Sequence, residues 1–128
     1  MLAASRLNLV PMTLIEIAIY AAVLGSPRPM VCHLEESGLV RCSNGLIGEA
    51  IAIDAVRFSD GVVVRHRRET IAFSNGIKTR LAGDGGLRFS NGVSLRPLPA
   101  GDYAFSNGIV CRSELPELVR CEKAPSSG

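Results

Sequence analysis

Leu87-Arg88-Phe89-Ser90-Asn91-Gly92-Val93-Ser94-Leu95-Arg96 holds two short alternating stretches on either side of a turn triplet. Leu87, Phe89, Val93 and Leu95 alternate with Arg88, Ser94 and Arg96, the period of a strand with one buried face. A two-residue type I′ loop on Asn91-Gly92 would set Phe89 against Ser94. A three-residue loop, Ser90-Asn91-Gly92 in a type I turn with Gly92 left-handed, sets Phe89 against Val93 and keeps the apolar side chains together. The second register is the expected one.

The phrase is not unique. With Phe89 it forms the series Cys42-Ser43-Asn44-Gly45, Phe58-Ser59-Asp60-Gly61, Phe73-Ser74-Asn75-Gly76, Phe89-Ser90-Asn91-Gly92 and Phe105-Ser106-Asn107-Gly108, at steps of 16, 15, 16 and 16 residues. One further step of 16 reaches Cys121. A period this short is one supersecondary unit copied along the chain. Two residues before each phase-zero position stand Val40, Val56, Ile71, Leu87, Tyr103 and Val119, all apolar; Leu46, Val62, Ile77, Val93 and Ile109 open the second strand. Gly45, Gly61, Gly76, Gly92 and Gly108 supply the turns. The expected fold is all-β, tandem 16-residue strand-turn-strand units in an antiparallel meander whose apolar face closes on itself or on a partner. A narrow β-solenoid with one unit per coil is the alternative. The shortened step, between Phe58 and Phe73, points to an irregular turn in Arg65-His66-Arg67-Arg68.

Four cysteines mark the first and last units. Cys32 and Cys42 are ten apart, as are Cys111 and Cys121, in the matching phrases Val31-Cys32…Val40-Arg41-Cys42 and Val110-Cys111…Val119-Arg120-Cys121. Even, symmetric cysteines in a 128-residue chain behind an apolar leader imply disulfides and an oxidising compartment. Register favours the two local pairings, since it sets Cys32 opposite Cys42 and Cys111 opposite Cys121 on the apolar face. On the other face it sets Arg80 opposite Arg88 and Arg112 opposite Arg120.

Residues 7–25, Leu-Asn-Leu-Val-Pro-Met-Thr-Leu-Ile-Glu-Ile-Ala-Ile-Tyr-Ala-Ala-Val-Leu-Gly, carry one charge, Glu16. They are long enough to cross a bilayer once, or to serve as a signal peptide with residues 17–24 as its apolar region and cleavage after Gly25; a buried soluble helix is the third reading. Glu16 is a candidate intramembrane contact. Ser26-Pro27-Arg28-Pro29 ends the helix, so residues 1–25 read as a leader, 26–30 as a linker, 31–122 as a six-unit repeat domain and 123–128 as a tail. The expected location is periplasmic or extracellular, with the leader as an anchor if it is retained.

The net charge of +2 is unevenly spread: residues 57–112 hold nine Lys or Arg against four Asp or Glu, and residues 30–56 one against four. Arg41, Arg57, Arg65, Arg80, Arg88, Arg96, Arg112 and Arg120 form a row on the polar face, with Arg67 and Arg68 nearby. Arginine favours planar, bidentate contact with phosphate or carboxylate, and a charged outer face also keeps a sheet soluble. Few aromatics argue against single-stranded nucleic acid, and nothing points to sequence-specific nucleic-acid recognition. There is no phosphate loop, no Cys-x-x-Cys and no Ser/His/Asp set. His33 and His66 stand alone, and Gly83-Asp84-Gly85-Gly86 resembles a calcium turn but occurs once. No enzyme, metal or cofactor is implied. The expectation is a non-enzymatic exported structural or binding protein, with a protein partner or self-assembly. A single-span accessory subunit of a membrane complex is the second reading, and anionic polymer or lipid on the Arg row a third.

Overall fold

The computed structural model describes residues 12–67, 70–83 and 85–124. One helix, α1 (Leu14–Leu24), precedes twelve strands: β1 (Met30–Leu34), β2 (Val40–Cys42), β3 (Ile47–Ala52), β4 (Ala55–Phe58), β5 (Val63–Arg67), β6 (Thr70–Phe73), β7 (Thr79–Leu81), β8 (Leu87–Phe89), β9 (Ser94–Pro97), β10 (Tyr103–Phe105), β11 (Ile109–Leu115) and β12 (Leu118–Lys123). All strands are antiparallel neighbours in one sheet, ordered β6-β5-β4-β3-β2-β1-β12-β11-β10-β9-β8-β7. The meander is thus the fold, and the solenoid is not. Its two edges, β6 and β7, meet at a single bridge between Ala72 and Lys78, so the sheet is a nearly closed ring. Four units are laddered hairpins, β2–β3, β4–β5, β8–β9 and β10–β11, and the fifth, β6–β7, is joined by that bridge alone. The sixth position is filled by the pairing of β1 with β12, Met30 opposite Cys121 and Cys32 opposite Val119.

The turn chemistry follows the three-residue reading. Gly92 N–H donates to Phe89 O at 3.0 Å and Phe89 N–H to Val93 O at 2.8 Å, with Gly92 at φ +94. The same pair of bonds recurs at Cys42, Phe58 and Phe73. The triplet serine joins one unit to the next. Ser59 N–H donates to Ile47 O at 2.8 Å while Ile47 N–H donates to Ser59 Oγ at 3.0 Å, and Ser43, Ser74 and Ser90 make equivalent double contacts with Val31, Val63 and Lys78. A side-chain hydroxyl there completes the ladder where the turn begins, which is why the period carries Ser and not only Asn-Gly.

The inner face is apolar. Val56, Phe58, Val64, Ile71, Phe73, Phe89, Leu95, Phe105, Ile109 and Val119 are buried, and burying a phenylalanine contributes roughly 1.5–3 kcal/mol. Both expected disulfides are present, Cys32 to Cys42 and Cys111 to Cys121, each with Cα atoms 4.0 Å apart. In a linear array they would staple opposite ends. Because β1 pairs with β12, they lie side by side across β2, β1, β12 and β11 and clasp the junction of the two chain ends.

The largest departure from the sequence reading concerns residues 1–25. Residues 1–11 lie outside the described residues, but α1 is not a segment apart from the repeat domain: Ile17, Ala18, Ile19, Tyr20, Ala21, Ala22 and Val23 are buried in the same core as the strands. No described helix is long and apolar enough to cross a membrane. The physical reason is the size of the ring. Around eight strands leave an interior that side chains alone can fill, whereas twelve leave a wider lumen, and a helix some 10 Å across plugs it. A helix apolar on all sides suits such a position as well as it suits a bilayer. Its eleven residues span only about 16 Å, short for a crossing. Leu14–Leu24 therefore belongs to the core, and removal of residues 1–25 would empty it.

Candidate functional site

Helix α1 is held at both ends. Thr13 caps the N-terminus in a reciprocal box, its Oγ1 accepting from Glu16 N–H at 3.3 Å while Glu16 Oε1 accepts from Thr13 N–H at 2.8 Å. Thr13-Leu14-Ile15-Glu16 is the Thr-x-x-Glu signal for a helix start, and it accounts for the charge in the apolar stretch without a membrane. At the other end, the turns of the sheet reach in: Asn91 Nδ2 donates to Val23 O at 3.3 Å, and Asn107 Nδ2 to Pro27 O at 2.8 Å.

Two distinct surfaces carry polar groups that chemistry could use. The first is the outer face. Arg41 pairs with Glu35 at 2.9 Å, Arg57 with Glu49 at 3.0 Å and Arg120 with Glu114 at 2.7 Å; Arg112 lies 4.0 Å from Asp102. The Glu35–Arg41 and Glu114–Arg120 pairs occupy equivalent positions beside the two disulfides. Their hydrogen-bonded guanidinium groups hold the Glu35 and Glu114 carboxyls below the ordinary glutamate range, and the carboxylates raise Arg41 and Arg120 in turn.

The remaining arginines of the row differ. Arg65, Arg80, Arg88 and Arg96, on β5, β7, β8 and β9, have no carboxylate partner among the described residues. Arg80 lies opposite Arg88, as the register required, and Lys78 stands beside them across the bridge to Ala72, itself opposite Arg65. The row predicted as one feature is therefore two: a neutralised side around the disulfides and a basic sector over β5–β9. Arg112 also opposes Arg120, each with an acid to hand. The side chains of Arg67 and Arg68 lie outside the described residues.

The second surface is inside the ring. Helix α1 packs most closely on β2, β11 and β12, leaving a cavity of about 340 Å³ on the opposite side, between α1 and β6–β10. Glu16 and His66 stand at its mouth, His66 Nδ1 3.3 Å from Glu16 Oε2, with Tyr20 and Tyr103 behind them and Ile19, Ile71, Leu87 and Leu95 forming walls. Burial, with Glu16 and then Tyr103 nearby, pushes the Tyr20 phenol well above its ordinary value, so it keeps its proton. Sequence reasoning offered Glu16 as a candidate intramembrane contact and treated His66 as isolated. Only the plugged ring brings them together, because they lie fifty residues apart and on different elements.

His33 is on the exposed end of β1, opposite Arg41. Among the described residues no group of three His, Cys, Asp or Glu side chains could hold a metal. Asp84 of the Gly-Asp turn lies outside the described residues. No protein family, curated protein or solved structure matched the chain.

Proposed function

We propose that this chain is a non-enzymatic binding protein of an exported, oxidising compartment, periplasmic or extracellular, which presents the basic sector over β5–β9 to an anionic polymer. The observation that carries the reading is the sorting of the arginines. Four have carboxylates within 4.0 Å, while Arg65, Arg80, Arg88 and Arg96 gather on one side of the ring with Lys78 and, among the described residues, no acid of their own. Opposed like charges such as Arg80 and Arg88 are unfavourable unless solvent or an anion separates them, which supports a face that gains from phosphate, sulfate or carboxylate groups. The meeting of β6 with β7 leaves little open edge for end-to-end assembly, which favours recognition through a face. Two disulfides, one on each side of the chain-end junction, support the compartment.

The test compares two triple variants of equal charge change on a sulfated resin. Arg80→Ser with Arg88→Ser and Arg96→Ser is expected to elute at clearly lower salt than Arg41→Ser with Arg57→Ser and Arg120→Ser, and to reduce the slope of log affinity against log salt by about two to three. Equal elution of the two variants would reduce the sector to net charge alone and end the proposal.

A further inference from the structure

The cavity between α1 and the β6–β10 side owes nothing to the outer face. Its volume of about 340 Å³ lies at the lower end of the range for small-molecule sites. Ile19, Ile71, Leu87, Leu95 and Pro97 give it apolar walls, and Leu81, 56% exposed, stands at its rim. The polar groups converge at one end: the Glu16 carboxylate, the His66 imidazole and the phenols of Tyr20 and Tyr103. Tyr20, only 2% exposed, lines the cavity beside Glu16 and Tyr103.

We propose that this cavity binds a small amphipathic amine, with its ammonium group at the mouth and an aromatic or branched aliphatic body against the walls. The charge of the lining selects the sign. Among the described residues no Lys or Arg lines the cavity, whereas a carboxylate and two phenol rings do. Glu16 Oε1 is engaged by Thr13, through N–H at 2.8 Å and Oγ1 at 3.0 Å, but among the described residues Oε2 has only the His66 contact at 3.3 Å. A carboxylate accepts about four hydrogen bonds, so Oε2 has room for an N–H donor. The Tyr20 oxygen is a second acceptor, and the Tyr20 and Tyr103 side chains put two aromatic rings along the same space. A carboxylic acid would instead meet Glu16, and an uncharged alcohol would forgo the charge-assisted bond.

The experiment uses the full oxidised chain and three molecules of one shape: phenethylamine, phenethyl alcohol and hydrocinnamate, titrated by calorimetry. The amine is expected to bind at least about tenfold more tightly than the other two, the equivalent of one charge-assisted hydrogen bond. Glu16→Gln, which retains a capping-box side chain, and Tyr20→Phe, which retains the ring, should each weaken the amine about fivefold or more with the unfolding midpoint little changed. Leu95→Trp should fill the cavity and abolish binding, while the Arg80/Arg88/Arg96 triple variant should bind as the parent does. Equal binding of alcohol or acid, survival of binding in Leu95→Trp, or no saturable binding of any of the three overturns the proposal and leaves the basic-sector reading untouched.

Discussion

Asn44 Nδ2 donates a hydrogen bond to the Ala21 carbonyl oxygen at 3.1 Å, tying the turn between β2 and β3 to the last turn of the enclosed helix. Asn44 Oδ1 meanwhile accepts from Leu46 N–H at 3.1 Å, inside its own turn. One amide side chain therefore shapes the hairpin and gives a second donor to a helix-end carbonyl that also accepts from Gly25 N–H at 3.0 Å. Asp60 takes the same place in the second unit. It keeps the acceptor, bonding Val62 N–H at 3.0 Å, and has no donor to offer.

The asparagines should therefore not be interchangeable with aspartate. Asn44→Asp removes the donor and sets a negative charge beside the negative end of the helix dipole, so it is expected to destabilise by about 1–2 kcal/mol. Asp60→Asn should change stability by less than about 0.5 kcal/mol. Chemical denaturation of the two variants gives the comparison, and equal effects would show that the helix end does not depend on Asn44.

Gly48 lies where the plug and the sheet crowd one backbone position from both sides. A Cβ there would stand 3.1 Å from Phe58 Cε1 and 3.2 Å from both Ile17 Cγ2 and Val56 Cγ2. Gly48→Ala should cost about 1–3 kcal/mol through overpacking, and less in an Ile17→Ala background, where the helix side gives way. Additive effects in the double-mutant cycle would place the strain elsewhere.

At Gly92 the constraint is backbone alone. Its φ is +94, and a Cβ added there would meet no atom within 4 Å. Gly92→Val therefore bears only the cost of the left-handed conformation, at least about 1 kcal/mol. An unshifted thermal midpoint would contradict the three-residue turn.

Acid should loosen the junction of the chain ends. Glu35 and Glu114 titrate below their ordinary range in the folded chain, so the unfolded chain binds protons first as pH falls. The stability from both pairs is present above the unfolded glutamate range and is lost as pH drops through the folded values. Thermal midpoints of the parent should fall across that acid window more steeply than those of Glu35→Gln with Glu114→Gln. The groups are exposed, so the difference is small, and parallel curves would assign the acid response to other carboxylates.

Opening one clasp tests the ring directly. Cys111→Ser with Cys121→Ser releases a ten-residue separation and should cost about 2–3 kcal/mol. Hydrogen exchange should quicken first in β12 and β1, which meet there, and only later in β4 and β5. Uniform quickening would mean that the two ends are not clasped locally.

The repeat, its turn type, the inward face and the cysteine pairing were legible in residues 31–121 because each depends on neighbours within one hairpin, where a period of two and a fixed loop length leave a single register. The Arg row was legible as a row, but not its division, since Glu35 and Glu114 reach Arg41 and Arg120 around turns whose geometry the period does not describe. The place of residues 14–24 was decided by tertiary structure alone. An apolar helix satisfies its backbone internally and seeks any apolar surroundings, so its sequence reads alike for lipid and for a protein lumen; only the closure of twelve strands created the lumen, and with it the meeting of Glu16, Tyr20 and His66. The Thr13-Leu14-Ile15-Glu16 cap was the local trace of that outcome, visible in the chain but without a ring to give it meaning.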